Sequence, residues 1–410
     1  MGRRGAFASV LWVAATMAAT VLAPCGTAAS AVGDFFWSGF NIADPAVDKA
    51  RLEKVLYAKA DPLFRSRNQG AIAALLSGVK WDEYSYFETA SETGYVKENM
   101  RDVYGVFLSV DRVMRFKPSI VSIAGKNTEK HYTYVFVTLN IFAADSRNLV
   151  FSHPVFLTDV SGTPTPVAEI LTVTLGKFAE QLKDVNNPFT VRMRRNLQTY
   201  FGQPGISNEA IRRTKGAIHP IDGYFENTFG VMGLCDDCVE VQEPAGMTQP
   251  DPKMMGDFAR FFLNSRLAEF HQVAFLNEQA RTVEERAGDA AATAKEGDIK
   301  RDWSELCLPD YDETGRSRVC VRVGPPRNPI WIGVRSLVKA TTGAGGLITL
   351  RFAAVVDFEA ELADRPQPAA GQMAETGYEV PAAPGEVVSN IYYVNALMKA
   401  INTLNDKTIH

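Results

Sequence analysis

The chain has 410 residues, of which 46% are hydrophobic, 22% charged and 10% aromatic, and its formal net charge is -4. This profile excludes a disordered, collagenous or multi-span membrane chain, and at roughly 100–200 residues per domain it holds two domains that can bury their own cores. The mildly acidic balance also sets nucleic acid aside as a partner, because phosphate backbones are gripped by a concentrated positive field.

Residues 1–31 read as a signal peptide. Arg3 and Arg4 form a positive start, residues 10–23 an apolar stretch, and Ala29-Ser30-Ala31 the small-residue pattern that precedes cleavage. Pro24 before Cys25 departs from a lipobox, and the neighbours of Arg3-Arg4 depart from a twin-arginine signal. Sec-type export is therefore preferred over a lipid anchor at Cys25. No later segment approaches the roughly 18 apolar residues of a membrane span. The expected location is periplasmic or extracellular.

An N-terminal α/β module is placed at residues 32–187. Asp44-Pro45 reads as an N-cap and first helical residue, with Val47, Leu52, Val55 and Leu56 as the apolar stripe; a short second helix covers 69–77, before Gly78. The aromatic run 80–89 favours a strand. Residues 103–157 read as β, with 132–142 apolar on both faces and therefore central. Asp145-Ser146-Arg147-Asn148 supplies a hairpin turn, and Thr165-Pro166 then opens a helix striped by Val167, Ile170, Leu171, Thr174, Phe178 and Leu182.

Residues 188–219 are assigned to a basic linker. Between 185 and 219, Arg192, Arg194, Arg195, Arg212, Arg213 and Lys215 face only Glu209. Guanidinium forks recognise carboxylates and phosphates bidentately, so this cluster is the candidate contact surface for an acidic partner, with a plain solvated linker as the rival.

A C-terminal α/β module is placed at 220–410. It opens with a helix over 254–270 carrying Met255, Phe258, Phe262 and Leu263 on one side, followed by a short strand over 273–276. Strands follow over 330–338 and 347–362, and the last helix carries Ile391, Val394, Leu397, Met398, Ile401 and Leu404. Both halves thus run helix, strand, further strands, long strand, helix. The expected fold class is α+β, mixed α/β: two mixed-sheet modules with amphipathic helices packed on the sheets, a degenerate duplication without residue identity. Residues 278–305 form a charged insertion, and 363–385, rich in Pro, Ala and Gly, read as a surface loop.

Cys235, Cys238, Cys307 and Cys320 remain after the leader, an even count that in an exported chain argues for two disulfides. Cys307 and Cys320 flank turn-forming residues 310–315, so a bridge there would staple a hairpin and leave Cys235 with Cys238. Redox catalysis is disfavoured because Asp236 and Asp237 oppose a thiolate. A zinc site is disfavoured because it would want a second close pair. Ser77 and Ser336 both begin a Ser-x-x-Lys, yet they fall at a helix end and in a strand, and no Lys-Thr-Gly accompanies them. His131, His153, His219, His271 and His410 form no metal-binding frame, and Asp357, Glu359 and Glu361 share what reads as a solvated strand face. No catalytic residue, cofactor or metal is expected.

The run 132–182, a long strand, a turn, a return strand and an amphipathic helix, resembles the mixed modules of the TolB N-terminal and CsgG type, as 347–404 does more loosely. Related modules occur in periplasmic flagellar-ring and outer-membrane lipoprotein accessory factors. The resemblance carries no functional residue across. It implies an exported, non-catalytic binding or assembly component of the bacterial cell envelope, partnered by envelope proteins or peptidoglycan and able to oligomerise. The competing class is a secreted or periplasmic hydrolase whose catalytic residues are dispersed in sequence.

Overall fold

The computed structural model of the protein describes residues 32–79, 83–90, 103–123, 126–144, 147–201, 228–241, 252–270, 274–275, 304–309, 318–323, 328–342, 348–360, 369–382 and 391–403. Residues 1–31, with Cys25 and the expected signal peptide, the basic residues Arg212, Arg213 and Lys215, and most of the charged insertion lie outside the described residues.

Strand β1 (Val32–Ile42) precedes the first helix, in a stretch to which the sequence pattern assigns no element. Its partners are β2 (Glu83–Phe87) and β3 (Val103–Ile123), both parallel to it. Parallel neighbours need a crossover, and helices α1 (Lys49–Lys59), α2 (Asp61–Arg65) and α3 (Ala71–Ser77) supply it between β1 and β2. β4 (Lys126–Ala143) and β5 (Asn148–Ser161) then add antiparallel, giving the order β2-β1-β3-β4-β5. Helices α4 (Val167–Lys183) and α5 (Pro188–Phe201) follow.

Side chains alternate across these strands, so the sheet has two apolar faces. One face presents Val106, Leu108, Val135, Val137, Leu139 and Ile141 to Leu56, Phe64, Leu75, Leu171, Phe178, Met193 and Leu197 of the five helices. Met193 and Leu197 belong to α5, so the first module's core continues to Leu197, inside the stretch assigned to the linker. The opposite face is aromatic, with Phe107, Phe116, Tyr134, Phe136 and Phe142 all buried.

The second module repeats the first in order and sense. β6 (Thr228–Val241), α6 (Pro252–Phe270) and β7 (Ala274–Phe275) are followed by β10 (Asn328–Thr342), β11 (Ile348–Ala360), β12 (Ala369–Ala382) and α7 (Ile391–Thr403). The sheet order is β7-β6-β10-β11-β12, with β6 parallel to β7 and β10, and β10-β11-β12 antiparallel. The protein is thus α+β, with one mixed-sheet plan used twice. The stretch 363–385, expected as a loop, contains β12; Pro381 is accommodated because β12 is an edge strand among the described residues. Between β7 and β10 lies a hairpin, β8 (Ser304–Pro309) and β9 (Arg318–Val323), that leaves its own sheet and joins the edge of the first at Asn148↔Arg322.

Helix α6 meets β5 of the first sheet and β6, β7 and β10 of the second, while α7 packs on β11, β12 and α6 and touches β3. The layers therefore run helices, first sheet, α6 with α7, second sheet. This explains why α6 is not simply amphipathic. Beyond Met255, Phe258, Phe262 and Leu263 it also buries Ala259, Phe261 and Asn264, because a helix with a sheet on either side must be covered all round. Phe258 alone contacts the rings of Phe116, Tyr134, Phe136 and Phe156.

Candidate functional site

Of the basic candidates, Arg192, Arg194 and Arg195 are described, and they lie on α5. Asn187 Oδ1 accepts from the Phe189 amide (3.0 Å) at its start, and Pro188 takes a position where no helical N–H is lost. With Thr190, Met193, Asn196 and Leu197 turned inward, Val191 and Arg195 are left exposed. Arg194 also turns inward. Its Nε donates to Leu75 O (3.2 Å) and its Nη2 to Ala74 O (2.8 Å), so it closes the carbonyl end of α3, where a positive charge complements the helix dipole. Burial lowers its pKa. Gly78, the C-cap of α3, is needed for this contact because a Cβ there would collide with the guanidinium. Arg192 is half-buried and its charge acts on His153.

His153 is fully buried on β5, stacked with Phe151 and edge-on to Phe189. Asn196 Nδ2 donates to Ala268 O (2.7 Å) and lies 3.3 Å from His153 Nδ1. An amide nitrogen can only donate, so Nδ1 is the acceptor and the proton sits on Nε2, for which no partner is present among the described residues. Burial, and secondarily the Arg192 charge, hold the ring neutral by lowering its pKa to about 3. The arrangement joins β5, α5 and α6. It is a packing device with one satisfied nitrogen.

The second polar constellation surrounds Asp44. Its carboxylate is wholly buried and accepts from the amides of Ala46 (2.9 Å) and Val113 (2.7 Å) and from Arg112 Nη1 (3.2 Å). Arg112 Nη2 reaches Asp257 Oδ2 (3.2 Å) on α6, so one guanidinium ties the β1–α1 loop of the first module to the central helix of the second. This corrects the reading of Asp44 as a helix cap. The cap of α1 is Asp48, whose Oδ1 accepts from the Arg51 amide (3.2 Å). A bulge at Asp111 makes the bridge possible: β3 and β4 pair through Val110↔Val137 and then Arg112↔Phe136, and the Asp111 carboxylate accepts from the Thr138 hydroxyl. A third anchor is Asp61, which accepts from Trp37 Nε1 (2.6 Å) and whose pKa is raised by burial.

Sequence reasoning missed His153, Arg112 and Asp257 as partners, since each pairs with residues far away in the chain. Apart from the proline, the only local hint at Asp44 was its acidic type. The cysteines are placed by strand register alone: Cys307 stands opposite Cys320, and Cys235 and Cys238 lie on β6. Asp357 and Glu359 share alternate positions of β11, and Glu361 lies outside the described residues, as do His219, His271 and His410. Ser77 ends α3 and Ser336 lies within β10. Among the described residues no group of three or more His, Cys, Asp or Glu is arranged to hold a metal ion, and no helix is long and apolar enough to cross a membrane.

No protein-family model and no curated protein matches the chain. Solved structures similar to part of it include a neuraminyllactose-binding hemagglutinin homolog from Helicobacter pylori, at 11% identity over 42% of this chain and 90% of that one, with a TM-score of 0.24. A PelC dodecamer from Paraburkholderia phytofirmans matches at 16% identity over 38% of this chain and 90% of that one, with a TM-score of 0.18. The lipoprotein GNA1162 from Neisseria meningitidis matches at 11% identity over 36% of this chain and 99% of that one, with a TM-score of 0.18.

Proposed function

We propose that the chain is an exported, non-catalytic binding or assembly component of the bacterial cell envelope, and that the outer side of α5 is its contact surface for an acidic envelope protein or for peptidoglycan carboxylates. One observation carries this reading. The polar constellations around Asp44 and His153 are absorbed in the seams between layers, whereas Arg195, Val191 and Val185 are exposed on α5 and on the turn before it. A cation beside solvent-facing valines suits protein contact, where arginine supplies the fork and the apolar side chains supply area. The leader at 1–31 and the resemblance to TolB N-terminal and CsgG modules support the location.

The test is site-specific photocrosslinking in intact cells. A photoreactive residue at position 191 or 195 is expected to capture a defined envelope component, with Lys177 on the exposed side of α4 as the control position. Arg195→Glu should lower the yield at 191 severalfold without shifting the thermal midpoint. Equal labelling from all three positions, with a monomer in the native envelope, would overturn the proposal.

A further inference from the structure

We infer that the four cysteines form two local disulfides, Cys307–Cys320 and Cys235–Cys238, and that the first locks a clasp by which the second module holds the edge of the first. The register of the backbone carries both pairings. In the β8–β9 hairpin Cys307 is directly opposite Cys320, between the pairs Leu306↔Val321 and Leu308↔Val319. Directly opposed residues of an antiparallel pair share a face, with Cα atoms about 4.5–5.5 Å apart, inside the span of about 4.4–6.8 Å that a disulfide needs.

The second pairing follows from a break in the β6–β10 ladder. Leu234 pairs with Ile332 and Val239 with Val334, so five steps along β6 match two along β10. At about 3.3 Å per residue the two ends are held roughly 7 Å apart, although an extended chain between them would span over twice that distance. Residues 235–238 must therefore loop out of the ladder. A loop so closed brings its first and fourth Cα atoms within turn distance, under about 7 Å, where a bridge can form.

The clasp gives the first pairing its consequence. The hairpin comes from the second module's chain, yet among the described residues the ladder between β9 and β5 has the single pair Asn148↔Arg322, and β8 comes against β1. Two six-residue strands form a marginal unit by themselves, and a cross-link between their middles removes the opened states through which they would detach. Each bridge forms by thiol–disulfide exchange. Two thiols lose two protons and two electrons, the S–S bond forms, and an oxidised dithiol or glutathione disulfide is cleaved to two thiols.

The oxidising compartment rests on the export reading, so the experiment separates the two. Reduced, folded full-length protein is treated with glutathione disulfide, free thiols are blocked, and a digest without reductant is analysed by mass. The expected products are a peptide pair joined through Cys307 and Cys320 and a single peptide two hydrogens lighter spanning Cys235 to Cys238. Four blocked thiols, or any other pairing, would overturn the inference. If the expected pairs form in the test tube but protein taken from cells carries free thiols, the export reading fails and the geometric inference stands. For the clasp, reducing the folded wild type should speed amide exchange in β8 and β9 on the order of a hundredfold. The Cys235→Ser/Cys238→Ser variant should leave that exchange slow until reductant is added. Exchange in β8 and β9 that ignores reductant would refute the clasp.

Discussion

At Gly78 and Arg194 a single side chain decides the sign of a substitution. Gly78 has φ -86° and ψ -4°, where alanine fits without strain, so the constraint is only the guanidinium lying over it. Gly78→Ala should therefore cost about 2 kcal/mol by evicting Arg194 from the carbonyls of Ala74 and Leu75. In an Arg194→Ala background the same change should stabilise by about 0.5 kcal/mol through the unfolded state, a reversal that denaturant melts of the four-member cycle would show. His153 gives a pH dependence. Its folded pKa lies below its unfolded value, so between about pH 3 and 6.5 the unfolded chain binds the extra proton and stability falls as pH falls, at up to ~1.4 kcal/mol per pH unit. Asp61 acts oppositely, because burial raises its pKa and the native state takes up the proton more readily than the unfolded chain. Replacing His153 by Phe should remove the loss between pH 6.5 and 5 in urea melts; an unchanged slope would assign it elsewhere.

Among elements, the two aspartates before α1 separate a cap from an anchor. Asp48→Ala should cost about 1 kcal/mol, as the loss of one N-cap bond does. Asp44→Ala should cost about 3–5 kcal/mol, because it strands the Ala46 and Val113 amides and leaves Arg112 with Asp257 alone. Equal losses in denaturant melts would return Asp44 to the role its sequence suggested. That misreading shows where local pattern stops. The stripe Val167, Ile170, Leu171, Thr174, Phe178 and Leu182 of α4 is legible because helix period and burial coincide, and all but the half-buried Val167 are buried. β1 escaped because Phe35, Phe36 and Trp37 run together without alternation, serving apolar contacts on both faces. β12 escaped because its composition is that of a loop and only its partner β11 makes it a strand. Of the candidate site, the cationic residues were visible as a count, but their division into the inward Arg194 and the exposed Arg195 depends on how α5 rolls against α3, which no residue spacing specifies.

For the whole molecule, the decisive feature is that α6 is shared. The back of the first sheet is lined by Phe107, Phe116, Tyr134, Phe136, Phe142 and Phe156, and α6 sets Phe258, Phe261 and Phe262 against four of these, Phe116, Tyr134, Phe136 and Phe156, while packing on the second sheet. Each aromatic side chain buries about 150–250 Å², so removing α6 would uncover more apolar area than the few hundred Å² that a soluble monomer ordinarily shows. The two modules, though alike in strand order, are therefore expected to fold as one unit. A fragment of residues 32–201 should bind a hydrophobic dye and self-associate, whereas the full-length protein should melt in one calorimetric transition that monitors of either sheet report together. Phe258→Ala should lower that single midpoint, at a cost of about 3–5 kcal/mol, instead of splitting it. Two transitions, with residues 32–201 monomeric and dye-negative, would mean that the aromatic face can be satisfied without α6, and that the shared helix docks two finished modules instead of completing both.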